Sequence, residues 1–283
     1  NAFSQYFNTE VLYSVKTNYT PHLLKIFCDM GVNPEVVSEL EVDIINKIGL
    51  KTDRLIVNGP IKTKNLINSL EKYPNSIINI DSLNDLNLLQ NFGNIGIRCN
   101  FPAKLMDGNR SRFGIDIESN EFTICLNELK RLNKKFGLHV HLPTRSLQSF
   151  KERSLYLKEI ILSKKLELEF INLGGGMMSP MSQNMANSLN ISRTSYLDYA
   201  KVIHDILGPI STLFKNKLIL EPGTAIVANA FIYITKIKDI KSISKKWIAQ
   251  LYGSTFDIFG TKRNVKVPIK IISSNDQSKT IEI

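Results

Sequence analysis

Val11-Leu-Tyr-Ser-Val-Lys16, followed by Thr17-Asn18, is an apolar run that stops on a lysine. Its β-branched and aromatic residues read as a short buried strand, and the lysine marks the tip. Thr20-Pro21 then opens a helical pattern over 21–30. A threonine hydroxyl there can cap the helix, and proline at the first helical position loses nothing by lacking an N–H. Strand, polar tip and helix form one unit, and that unit recurs along the chain.

Seven further apolar segments lie at 35–38, 55–58, 77–81, 96–100, 137–142, 169–173 and 217–221. Helical periodicity fills the intervals at 39–48, 62–73, 83–92, 120–135, 147–164 and 196–214. Ser38-Glu-Leu-Glu41 reads as a capping box, and Ser82 as the cap of the fourth helix. Eight such units, the last closing at Glu221, predict a closed (β/α)8 barrel of the TIM type. A doubly wound open sheet ranks second, because it needs fewer strands and a reversal of strand order.

After Glu221 the rhythm changes. Residues 231–241, 247–252 and 265–272 read as strands without intervening helices, and 279–283 as one more. We therefore expect a barrel domain over 1–226 and the start of a β-rich domain over 227–283, incomplete as the sequence stands. The first residue is Asn1 and residues 1–7 read as the tail of a helix, so a natural start upstream is expected.

Bulk composition narrows the class. With 43% hydrophobic and 22% charged residues the chain reads as an ordinary soluble globular protein. No apolar run reaches the length of a membrane span, and no signal-peptide pattern opens it. Cys28, Cys99 and Cys125 have neither metal nor disulfide spacing, which points to a reducing cytoplasm. The net charge of +10 invites nucleic acid, but the cations are spread over helices such as Lys130-Arg-Leu-Asn-Lys-Lys135. Without a basic groove interleaved with aromatics, solvated helix faces and mild steering of anionic ligands are expected instead.

In a barrel, the C-terminal strand ends meet at one mouth. Lys16, Arg98, His141, Gly174-Gly175-Gly176 and Glu221-Pro222-Gly223 fall at five such ends. The polar loops 101–114 and 177–194 also leave strand ends, where barrels carry active-site loops. A desolvated strand-tip lysine deprotonates near neutral pH and becomes a nucleophile for an aldehyde. A snorkelling lysine is the alternative. The three glycines leave backbone N–H groups open to a phosphate, although close packing also demands glycine. His139 and His141 share one face of their strand, and no third ligand with metal spacing accompanies them. His141 is expected against a bound ring, with His139 one layer deeper. Pro222 turns the chain and leaves the Glu221 carboxylate at the mouth, where it would keep a pyridine nitrogen protonated.

Eight motifs in sequence order carry a resemblance: Tyr13-Ser-Val-Lys16-Thr-Asn18, Glu35-Val-Val-Ser-Glu-Leu-Glu41, Asn58-Gly-Pro-Ile-Lys62, Ile97-Arg-Cys-Asn100, Ser111-Arg-Phe-Gly-Ile115, residues 137–141, Asn172-Leu-Gly-Gly-Gly176 and Glu221-Pro-Gly223. The chain resembles the fold-type III pyridoxal-phosphate decarboxylases, the family of diaminopimelate and ornithine decarboxylases, whose barrel is of the alanine racemase kind. The resemblance implies pyridoxal 5'-phosphate as cofactor and Lys16, His141 and Glu221 as catalytic residues. Lys16 would form the internal aldimine, His141 would stack on the ring, and Glu221 would pair with its nitrogen. Gly174, Gly175 and Gly176 would bind the phosphate, with Thr144 and Gly223 in the same cofactor-binding set, and Glu35 and Arg98 would line the site near the ring.

The implied reaction is decarboxylation of an amino acid of the diaminopimelate, ornithine or lysine type, or of a related biosynthetic substrate, including one tethered to a carrier. A cytoplasmic homodimer with shared active sites is implied too. The sequence departs from the family pattern at three places. Pro143-Thr144 stands where glycine-serine is usual, and Thr224 where arginine follows Glu-Pro-Gly. None of the three cysteines lies where the family's second domain supplies one to a partner's site. An amino-acid racemase on the same barrel is the nearest rival, but racemases place an arginine at the pyridine nitrogen, and Glu221 favours decarboxylation. A catalytically silent homologue acting through a partner would be expected to have lost Lys16, His141 or Glu221, and all three stand.

Overall fold

The computed structural model describes residues 2–89, 92–103, 108–179, 183–188, 193–228, 230–244, 246–254, 257, 269–271 and 279–281. Two compact units divide the chain: Asn1–Ser179 with Thr194–Ile226, and Pro180–Arg193 with Val227–Ile283.

In the first unit, β1 (Asn8–Val11) and β2 (Tyr13–Ser14) are two halves of one strand. They are followed by β3 (Pro34–Val36), β4 (Ile56–Val57), β5 (Ile77–Ile80), β6 (Asn94–Asn100), β7 (Ile115–Asp116), β8 (Lys135–His139), β9 (Ile171–Asn172) and β10 (Lys217–Leu220). The sheet runs β1-β10-β9-β8-β6-β5-β4-β3-β2, with every pair parallel. Leu12 N–H donates to Leu220 O on one side of the first strand, and Tyr13 N–H to Asn33 O on the other. The first strand thereby closes the sheet on itself, giving the expected eight-stranded parallel barrel, with β7 a short addition beside the end of β6.

Helices alternate with the strands: α1 (Pro21–Asp29), α2 (Glu39–Ile48), α3 (Lys64–Ser69), α4 (Leu83–Leu88), α5 (Asn120–Arg131) and α6 (Leu147–Ser163). Next come α7 (Gln183–Ser188), which belongs to the second unit, α8 (Tyr196–Leu207) and α9 (Thr224–Val227). Ser38 and Ser82 cap α2 and α4 as expected. The Glu41 carboxylate accepts from Val37 N–H, so the reciprocal half of the capping box reaches one residue further upstream. Thr20, expected as the cap of α1, makes no side-chain capping bond; its backbone N–H donates to Asn18 Oδ1. The helix expected to run to residue 214 stays α-helical only to Leu207 and continues as a 3-10 helix over Gly208–Phe214, where Pro209 lacks the N–H that an α-turn needs.

Inside the barrel two chemistries are stacked. Leu12, Ile56, Ile77, Phe170 and Ile219 form a buried apolar cluster. Gly137 makes room for it, since a Cβ there would lie 2.5 Å from the Phe170 ring. The buried polar residues Glu35, Asn58, Asn79, His139, Asn172 and Glu221 form the other layer. Burying that many polar groups is tolerable only when they bond one another.

Within the second unit, β11 (Ile237–Ile243) pairs antiparallel with β12 (Lys246–Leu251), and β13 (Ile269–Ile271) with β14 (Lys279–Ile281). Residues 231–236 are not strand, contrary to expectation, since they find no ladder partner among the described residues beyond one bond from Tyr252 N–H to Lys236 O. The remainder of the strand expected at 265–272, and parts of loops 101–114 and 177–194, lie outside the described residues.

Candidate active site

A cavity of about 220 Å³ opens where the C-terminal strand ends converge, and Lys16, Glu35, Arg98, His141, Gly175, Gly176, Glu221 and Gly223 all reach its wall. Lys16 sits just past its strand, in a one-turn 3-10 helix (Val15–Thr17), because the ladder stops at Ser14 and Asn18 N–H closes back on Val15 O. Burial was expected to desolvate its amine. Instead the side chain is 51% exposed and ion-paired, with Nζ 3.2 Å from Glu35 Oε2. Glu35 is fully buried and also accepts from Ser14 Oγ at 2.5 Å and Asn58 Nδ2 at 2.9 Å. Burial pushes its carboxyl above the ordinary range, with the Lys16 charge opposing.

Glu221 follows β10 directly and is buried. Asn172 Nδ2 donates to its Oε1 at 2.6 Å, Asn58 Nδ2 to its Oε2 at 2.8 Å, and His139 Nε2 lies 3.5 Å from Oε2. Burial disfavours the anion, but His139 and the two amides outweigh it and hold the carboxyl at about 2. Asn58 therefore bridges two buried carboxylates whose affinities for a proton are driven apart. Its own Oδ1 accepts from Asn79 Nδ2 at 2.5 Å, which fixes the amide orientation.

His141 lies two residues past the end of β8, not on the strand, although Val140 N–H still bonds Asn172 O. Its Nδ1 accepts from Gly175 N–H at 3.2 Å, which assigns the proton to Nε2. Burial, then the Arg153 charge and the neighbouring His139, hold it down at about 3, so it is neutral at pH 7. Arg98, on β6, pairs with Asp81 at 3.6 Å and lies over the Phe113 ring.

The glycine turn after β9 needs glycine for space and for conformation. Gly174 and Gly176 have φ of 64° and 86°, and a Cβ on Gly175 would meet Glu221 O at 2.4 Å. Gly174 stays out of the cavity wall and packs beneath His141, where a Cβ would lie 2.7 Å from Nδ1. Beneath the turn is Arg153 of α6, fully buried, which sequence reasoning missed. Its guanidinium donates to the carbonyls of Leu173, Gly175, Leu142 and Thr144 at 2.7–3.1 Å. A carbonyl turned to Arg153 sends the next N–H of its trans peptide the opposite way, so those of Gly176 and Arg145 point away from it. Neither N–H has a hydrogen-bond partner among the described residues. Thr144 is likewise outside the cavity wall, with its hydroxyl buried and unpartnered. Thr224 lines the wall, and Arg145 Nη2 donates to its hydroxyl at 3.3 Å.

The signal for Arg153 was present: it shares the buried stripe of α6 with Phe150, Leu157, Ile160 and Ile161. Asn58, too, is a polar residue closing an apolar segment, as Lys16 is. An amine, a neutral imidazole, a fixed carboxylate and open backbone N–H groups around one cavity form the donor set that a phosphorylated aromatic aldehyde with a ring nitrogen requires.

A family model described as pyridoxal-dependent decarboxylase, pyridoxal binding domain, matches residues 1–228. The chain is 26% identical over 259 residues to a diaminopimelate decarboxylase of Aquifex aeolicus, covering 83% of this chain and 58% of the relative. It is 23% identical over 245 residues to an ornithine decarboxylase of Candida albicans, covering 80% and 48%. The solved diaminopimelate decarboxylase of M. jannaschii in complex with L-lysine superposes with a TM-score of 0.78 at 20% identity, over 99% of this chain and 73% of that one. This chain thus spans 58% or less of the length of the two curated relatives.

Proposed function

Because the chain belongs to the pyridoxal-dependent decarboxylases through their pyridoxal-binding domain, we propose that it removes the α-carboxylate of an amino acid with pyridoxal 5'-phosphate. The observation that carries this reading is the contact line Lys16–Glu35–Asn58–Glu221 across one cavity wall.

Lys16 is the residue that would hold the cofactor's aldehyde. Its ammonium must first lose a proton, and Glu35 Oε2 at 3.2 Å is placed to receive it, with burial raising that carboxyl's affinity for one. Glu221, held anionic, would face the ring nitrogen and keep a proton there. Neutral His141 would lie on the ring face, and the Gly175–Gly176 turn braced by Arg153 would receive the phosphate. Bound there, pyridoxal phosphate supplies an electron sink for the pair left when carbon dioxide departs.

The substrate class we favour is a basic or dicarboxylic amino acid, the kind named by the diaminopimelate and ornithine decarboxylases among the relatives. On the same footing we assign residues 1–226 as the cofactor domain and 227–283 to a β-rich domain, in a cytoplasmic homodimer with shared sites. No helix among the described residues is long and apolar enough to cross a membrane. The test is a panel of basic and dicarboxylic amino acids given to the cofactor-loaded chain and scored for carbon dioxide and for loss of optical activity. Carbon dioxide release supports the reading. Racemisation with the carboxylate retained overturns it.

A further inference from the structure

We propose that Arg145 is the cation that binds the cofactor's phosphate, closing over the glycine turn from the neighbouring loop. The inference rests on the pyridoxal phosphate reading above and adds a residue to it.

Charge pairing in the cavity wall singles Arg145 out. Lys16 is neutralised by Glu35 and Arg98 by Asp81. Among the described residues no carboxylate pairs with Arg145, the third cation of the wall, and its side-chain bond there goes to the neutral Thr224 hydroxyl. An unpaired guanidinium in a ligand cavity is matched by an anion on the ligand.

The topology says where that anion sits. Arg145 belongs to the loop after β8 and Thr224 opens α9, shortly after β10, while β9 runs between those strands. The Arg145–Thr224 bond therefore reaches across the turn that follows β9, the turn containing Gly175 and Gly176. The unpartnered N–H groups of Gly176 and Arg145 both point away from buried Arg153. Backbone donors, a guanidinium and a hydroxyl thus gather on one side of the turn, a set suited to several phosphate oxygens. The loop that presents Arg145 is anchored, because Tyr199 OH donates to Arg145 O at 2.5 Å and Arg153 holds Thr144 O. Its guanidinium is thus an exposed group on a fixed base, within reach of a phosphate on the turn.

The experiment titrates pyridoxal phosphate and unphosphorylated pyridoxal into the cofactor-free chain, as wild type, Arg145→Met and Arg145→Lys, with binding read by calorimetry. Folding of each variant is checked by its urea midpoint. For Arg145→Met, pyridoxal phosphate affinity falls about 10- to 100-fold, the worth of charge-assisted hydrogen bonds. Pyridoxal affinity stays within about 3-fold of wild type, and Arg145→Lys recovers part of the loss. Equal weakening of both ligands overturns the proposal. So does unchanged cofactor affinity with a raised KM for the amino acid, which would assign Arg145 to a substrate carboxylate. Wild-type protein that binds neither ligand would sink the cofactor reading itself, whereas normal cofactor binding by both wild type and Arg145→Met sinks this inference alone.

Discussion

Arg153→Met removes the buried charge beneath the glycine turn while keeping an unbranched apolar side chain in its place. Four carbonyls lose their donor at once: Leu142, Thr144, Leu173 and Gly175. Hydrogen bonds from a charged donor contribute about 1.5–3 kcal/mol each, so the four together are worth about 6–12 kcal/mol before burial is counted. Burial pushes the guanidinium from 12.5 down to about 9, which at about 1.4 kcal/mol per pH unit opposes them by about 5 kcal/mol. The difference centres near 4 kcal/mol, the cost of leaving four buried neutral carbonyls without their donor. The face-on contact with Phe150, at 4.2 Å, is lost as well. Urea unfolding of the cofactor-free chain at pH 7, followed by far-UV circular dichroism, gives the value directly. A variant within about 1 kcal/mol of wild type would refute the reasoning, because four orphaned carbonyls cannot be that cheap unless the guanidinium does not hold the turn.

Two substitutions test the electrostatics of the wall. In Glu221→Gln the cofactor stays attached, but turnover falls about 100- to 1000-fold, the scale for removing one preorganised electrostatic partner. The Glu221 carboxyl is held below its ordinary 4.5, at about 2, so its contribution to stability is complete above pH 4.5 and fades as pH falls toward 2. Acid unfolding of Glu221→Gln should lack that fading, and curves parallel to wild type would contradict the assignment. Glu35 is the opposite case. Its raised carboxyl binds a proton that the unfolded chain has released, so wild-type stability declines as pH rises from 4.5 through the raised value. Glu35→Gln should remove that decline, as read by urea midpoints from pH 4.5 to neutrality.

Much of the barrel was legible because its signals are local. Ser38 and Gly49 bracket α2 with a hydroxyl cap and a left-handed terminus, and both lie within the helix's own sequence neighbourhood. Lys16, His141 and Glu221 could be picked out because each is a polar residue closing an apolar run. What failed was tertiary. The ion pair that leaves Lys16 half-exposed joins residues 19 apart, and Asn58 reaches Glu221 across 163. Arg153 serves carbonyls on two different loops, and no local pattern names them. Residues 231–236 are apolar enough to read as strand, yet a strand needs a partner, and partners are not written in its own composition.

The central claim is that one aromatic aldehyde is tethered to Lys16 within this cavity. Incubation with pyridoxal phosphate, reduction with borohydride and mass spectrometry of the digested chain tests it most directly. The account predicts a phosphopyridoxyl adduct on the peptide carrying Lys16, absent from Lys16→Ala. An adduct confined to other lysines, or undiminished in Lys16→Ala, would contradict it.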